Sequence, residues 1–87
     1  MDDFLALNQS GVDFLLIDLD LAMTFMDVAS GSNIQATISR NHNNARKAYD
    51  SVVHLLGKLT PDAGQREEIE SKLALLKTRL EAVGQQF

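Results

Sequence analysis

Between Ile34 and Phe87 the apolar residues recur in alternating steps of four and three. Ile34, Ile38, Ala45, Ala48, Val52, Leu55 and Leu59 form one row, with Asn41 as its single polar member, and Ile69, Leu73, Leu76, Leu80, Val83 and Phe87 form a second. A helix turns once in 3.6 residues, so this spacing keeps each row on one face, whereas a strand would scatter it over both. The punctuation agrees. Gly11, Gly31-Ser32-Asn33, Thr60-Pro61 and Gly84 leave stretches of about 18 to 26 residues, too long for strands.

Three helices are predicted. The first spans 12–30, with Ser10 as N-cap and Gly31 as C-terminal glycine. The second spans 33–58 and opens on a capping box, Ser32-Asn33-Ile34-Gln35. The third spans 61–83, with Thr60 as cap, Pro61 at the first helical position and Asp62 facing the positive end of the helix dipole, and it closes at Gly84. The short connection at Thr60-Pro61 makes the second and third helices antiparallel neighbours, and the first folds back across both. The expected architecture is all-α, a three-helix antiparallel up-down bundle forming a single domain over 1–87. Residues 1–10, with Phe4, Leu5 and Leu7 behind Asp2 and Asp3, are expected to form a leading segment packed loosely on the bundle.

At 87 residues the chain buries only about 60 to 65% of its unfolded surface, which leaves no room for a large substrate cleft. Eight basic residues against twelve acidic give a net charge of −4, which disfavours binding to nucleic acid or to an anionic membrane. The charge is unevenly spread: residues 1–39 carry six aspartates and no Lys or Arg, whereas 40–58 carry Arg40, Arg46, Lys47 and Lys58 against Asp50. The first segment is therefore expected to lie beside the second. The chain has no cysteine, which fits a reducing compartment, and a cytoplasmic location is expected. The residues before Phe14 are acidic or neutral, unlike a signal peptide, and Asp18, Asp20 and Asp27 interrupt the one apolar stretch that approaches membrane length.

That stretch, LLIDLDLAMTF over 15–25, contains the one residue out of place. On a helical wheel Asp13, Asp20, Thr24 and Asp27 fall in one narrow polar stripe, while Asp18 lands among Phe14, Ala22, Phe25 and Ala29. A carboxylate on an apolar face is costly unless paired. Folding the second helix back brings Asp18 level with about residue 45, so a hydrogen bond or ion pair to Tyr49 or Arg46 is expected, and Asp18→Asn is expected to lower the melting temperature.

The same stretch resembles the opening of phosphatases of the haloacid-dehalogenase type, which implies Asp18 as nucleophile and Asp20 as acid and base, with a bridging metal. It departs from that pattern at Leu21, where a glycine is usual, and at Ala22, and nothing downstream reads as a strand. His54, in His54-Leu55-Leu56-Gly57-Lys58, looks like the acceptor of histidine phosphotransfer bundles, although the Lys-Gly pair is reversed. A small phosphotransfer or hydrolytic domain using His54 or Asp18 is thus the rival from the enzyme class. Asp50 and His54 share a face at i, i+4, which is short of a closed metal site, and no cofactor or small-molecule substrate is indicated.

The polar island RNHNNAR, 40–46, places Asn41 at a seam position, where a lone polar residue fixes register or partner choice. Its alternative use is to let Arg40, His42, Asn44 and Arg46 meet an acidic partner or a phosphate. Ala45, Tyr49, Val52 and Gly57 fall at the spacing of the second helix of a tetratricopeptide repeat, and the stretch resembles the helical hairpins of tetratricopeptide and microtubule-interacting-and-trafficking modules. This resemblance covers about 13 residues and implies a peptide- or protein-binding surface.

Thirteen of the eighteen residues from Val12 to Ala29 are apolar, more than one side of a three-helix monomer covers, and Leu16, Ile17 and Met23 fall on or beside the polar stripe. The expected function is a non-enzymatic protein–protein interaction or structural module, self-associating through the first helix as a homodimer or binding a partner helix. Leu16, Ile17, Met23, Arg40 and His42 are the candidate interaction residues.

Overall fold

The computed structural model describes the chain from Asp2 to Phe87, with side chains described from Leu7 onward. It contains three helices, α1 (Asp2–Ser30), α2 (Gln35–Leu56) and α3 (Ala63–Ala82), and no strand among the described residues.

Polar contacts fix how the helices run. Gln9 meets Gln65, Asp20 meets Lys72 and Asp27 meets Arg79, so α1 and α3 ascend together. Asn8 meets Thr60 beyond the end of α2, and Met26 shares a depression with His42 near its start, so α2 descends between them. The result is an up-down-up rod about 50 Å long and under 20 Å across, with its most extensive contact between α1 and α2.

The core is a single cluster along the axis. From α1 it takes Val12, Leu15, Leu19, Ala22 and Met26, with Ala29 buried beyond them. Ala45, Ala48 and Val52 come from α2, and Ile69, Leu73, Leu76 and Leu80 from α3. The rows read in the second and third helices are the buried faces, except at their ends, where Ile34, Val83 and Phe87 are exposed. Each fully buried Leu or Ile contributes about 1.5–3 kcal/mol through removal from water. Asn41, the polar seam residue, is buried, and its amide donates to the Thr37 carbonyl one turn back at 2.8 Å. One of its amide N–H groups is thus satisfied within α2.

The helix ends differ from the expected ones. α1 starts at Asp2, so Ser10 is not a cap and 2–10 are helical. Gly11 costs about 1 kcal/mol inside a helix, but it admits a close neighbour: a Cβ built there would stand 2.8 Å from Leu59 Cδ2. The leading segment is also tied down. Asn8 Oδ1 accepts from the Thr60 amide at 2.8 Å and its hydroxyl at 3.1 Å, while Asn8 Nδ2 donates to the Thr60 carbonyl. The packing of Phe4 and Leu5 concerns side chains outside the described residues.

The Ser32 capping box does not form. Ser32 Oγ accepts from the Ile34 amide at 3.1 Å, a bond inside the turn, and Gln35 reaches forward to Ser39. Thr60 is occupied by Asn8, so the cap of α3 falls to Asp62, whose carboxylate accepts from the Gln65 amide at 2.7 Å while the Gln65 side chain accepts from the Asp62 amide at 3.0 Å. α3 ends in a Schellman turn: Gly84 has φ +97°, its amide donates to Glu81 and that of Gln85 donates to Leu80.

Candidate interaction surface

The buried residues of α1 follow steps of three and four, and so does a second row on its opposite side: Leu7, Ser10, Phe14, Ile17, Leu21, Thr24 and Val28. Every member of the second row is exposed, with Leu7 at 72%, Phe14 at 54%, Ile17 at 66%, Leu21 at 46% and Val28 at 47% of the accessible maximum. With α2 and α3 both packed behind α1, this row forms an apolar ridge running down the outside of the rod. Single exposed apolar residues are ordinary, whereas five at heptad spacing on one face are a contiguous patch.

The ridge is flanked by rows of opposite charge, with Asp18 the one acidic exception on the α2 side. On the α3 side stand Asp13, Asp20 and Asp27, seven residues apart. Asp20 pairs with Lys72 at 2.6 Å and Asp27 with Arg79 at 2.9 Å, yet their side chains stay 66% and 71% exposed. The Asp20 carboxylate in turn holds the Lys72 ammonium above its ordinary pKa, chiefly through their hydrogen bond. On the α2 side stand Arg40, Lys47 and His54, again seven apart, with Lys58 beyond; all four are exposed, and none is in an ion pair among the described residues.

Asp18 lies between the ridge and α2. It is half-buried, and burial pushes its carboxyl above the usual carboxylate range. Neither Tyr49 nor Arg46 is its partner, and it takes part in no side-chain hydrogen bond or ion pair among the described residues. The reason is the side of α2 on which those two residues sit. Both face α3: Arg46 donates to the Gln86 carbonyl at 2.7 Å and to Asp50 at 3.1 Å, and Tyr49 meets the ring of Phe87 edge-on at 4.9 Å. Asp18, two residues before Asp20 on the wheel, is turned to the opposite flank.

The other candidates divide. Leu16 and Met23 are partly buried against the core on the α3 side of α1, off the ridge, whereas Ile17 is exposed on the ridge. Arg40 is exposed on the basic flank. His42 is half-buried and lines a shallow depression of about 240 Å³ with Met26, Ser30, Arg79, Ala82 and Val83. His54 is exposed, and its expected helix-face mate Asp50 is engaged by Arg46. Leu7, Phe14, Leu21, Val28, Lys47 and Lys58, not singled out from sequence, complete the surface; the seven-residue recurrence of Leu7, Phe14, Leu21 and Val28 is the signal that marks them.

Among the described residues no group of three or more His, Cys, Asp or Glu is placed to hold a metal ion, and no helix is long and apolar enough to cross a membrane. No family model, curated protein or solved structure matches the chain.

Proposed function

We propose that the chain is a non-enzymatic helical interaction module of the cytoplasm that self-associates through the outer face of α1, with a homodimer as the simplest closed arrangement. The observation that carries this reading is the exposed ridge, Leu7, Phe14, Ile17, Leu21 and Val28, on a helix whose other face already fills the core. A monomer gains nothing from five apolar residues held in line in water. Against a second copy each gives up part of that exposure, and apolar burial is the main favourable term in association.

The ridge from Leu7 to Val28 is roughly 33 Å long and 10 Å wide, about 330 Å² per copy, well under the ~800 Å² per partner of a standard interface. Association on this face is therefore weak, with a Kd on the order of micromolar to tens of micromolar. On this reading Asp18 and His54 perform no chemistry, and neither nucleic acid, membrane nor a small substrate is a partner.

Sedimentation tests the proposal. At about 100 µM the chain is expected to show a dimer mass, and Leu21→Asp, at an exposed position, is expected to return it to a monomer with its helix content intact. A monomer mass for the unchanged chain at that concentration overturns the proposal, and dimerisation only after a foreign amphipathic helix is added assigns the ridge to another partner.

A further inference from the structure

We propose that the two copies meet with their α1 helices parallel, related by a two-fold axis running along the ridge, so that the acidic flank of each lies against the basic flank of the other. This inference rests on the self-association proposed above and adds its geometry.

The heights of the charges along the rod carry it. Because α1 and α2 are antiparallel, with Asn8 beside Thr60, Gly11 beside Leu59 and Met26 near His42, heights on one helix translate to the other. Lys58 stands level with Gly11, His54 with Leu15, Lys47 with Ala22 and Arg40 with Ala29. The acidic flank has its carboxylates at Asp13, Asp20 and Asp27, each within two residues, or about 3 Å of helix rise, of one of those levels. A two-fold axis along the helices preserves height and exchanges left for right. It sets Asp13 across from the partner's Lys58 and the partner's His54, Asp20 across from the partner's Lys47, and Asp27 across from the partner's Arg40.

The other isologous arrangement, with the axis perpendicular to the helices, leaves left and right in place. It sets three aspartates against three aspartates and the basic flank against itself, while Leu7 meets the partner's Val28. Like charges in facing rows cost affinity, whereas opposite ones raise the association rate and fix the register. For an apolar ridge this narrow, the flanks decide the orientation.

The chain has no cysteine, so single cysteines report the geometry directly. Leu7→Cys and Val28→Cys lie at opposite ends of the ridge, both exposed, and a disulfide requires Cα atoms within about 7 Å. Under mild oxidation at about 100 µM, each variant alone is expected to cross-link to itself, and a mixture of the two is expected to give no mixed product. Raising salt from about 50 to 500 mM is expected to weaken the dimer by roughly three- to tenfold, and Lys47→Glu to weaken it similarly at low salt. Mixed Leu7→Cys/Val28→Cys disulfide in place of the self-linked products overturns the parallel geometry while leaving self-association standing. A dimer by sedimentation in which neither cysteine cross-links also overturns it, because the ridge is then not the contact. A monomer by sedimentation removes the function proposed above and this inference with it.

Discussion

Arg46 lies over the ring of Phe87, its guanidinium carbon 3.9 Å from the ring centroid, while the same side chain holds the Gln86 carbonyl and the Asp50 carboxylate. The Schellman turn at Gly84 brings the residues after α3 back to this point, where Tyr49 closes on the ring edge. One arginine therefore fastens the end of the chain to the middle of α2. Arg46→Ala and Phe87→Ala are each expected to lower stability by about 1 kcal/mol, a fall of roughly 4–8 °C in Tm. The double variant is expected to lose less than the two single losses together, by about 0.5–1 kcal/mol. Strict additivity in thermal unfolding would show that the contact contributes nothing.

Two glycines near helix ends should respond in opposite directions. Gly84 has φ +97°, where an L side chain is strained even though space is open around it, so Gly84→Ala is expected to cost about 1 kcal/mol. Gly57 has φ −66° and ψ −15°, and an added Cβ would make ordinary contact with the His54 carbonyl, so Gly57→Ala is expected to stabilise by about 0.4–1 kcal/mol through the unfolded chain. Urea titrations of both variants check the pair, and a shift of the same sign in each would contradict the turn geometry.

The parts of this fold that are legible in the sequence are those with one signal each. Leu73, Leu76 and Leu80 keep steps of three and four, so the buried face of α3 is legible by spacing although the exposed Leu75 stands between them; α2 adds a contrast of apolar against charged residues from Ala45 to Val52. In α1 the contrast fails, because a buried row and an exposed row, both apolar, lie back to back and merge into near-uniform hydrophobicity. Only the recurrence of aspartate at 13, 20 and 27 separates them, and it becomes decisive once Lys72 and Arg79 show which side α3 occupies. The surroundings of Asp18 escape the sequence for the same reason: a wheel gives angles within one helix but not the side from which another helix arrives. Caps are ambiguous where two candidates compete within two residues, as Thr60 and Asp62 do, and the one left free by tertiary contact takes the role.

The two rows of α1 are separable by experiment. Leu19 is fully buried and Leu21 is 46% exposed, two residues apart on one helix. Leu19→Ala is expected to cost about 2–5 kcal/mol by opening a cavity in the core. Leu21→Ala is expected to leave the stability of the dilute monomer within about 0.5 kcal/mol of the unchanged chain. Self-association should respond in the reverse order among variants that remain folded, Leu21→Ala weakening the dimer. Comparable losses of monomer stability at the two positions in chemical denaturation would show that Leu21 belongs to the core.

Asp18 offers the last test, and its sign follows from its surroundings. Burial beside the ridge raises its carboxyl pKa, so the folded chain binds a proton there more readily than the unfolded chain does. Stability contributed by this group is therefore lowest where the carboxylate is charged in both states. It rises as pH falls through the raised folded value toward the ordinary value of about 3.9, below which both states are protonated and the gain is complete. Asp18→Asn removes the charge at all pH values. It is expected to stabilise the protein at pH ~7 and so to raise Tm, modestly because solvent still screens a partly exposed group. The advantage over the unchanged chain should shrink as pH is lowered and disappear well below the ordinary carboxylate value of about 3.9, where Asp18 is protonated in both states and resembles the amide. Thermal unfolding of both proteins across that range decides the matter: if the Asp18→Asn variant melts lower than the unchanged chain at neutral pH, the carboxylate has an attractive partner after all, the role that the sequence alone suggests for Tyr49 or Arg46.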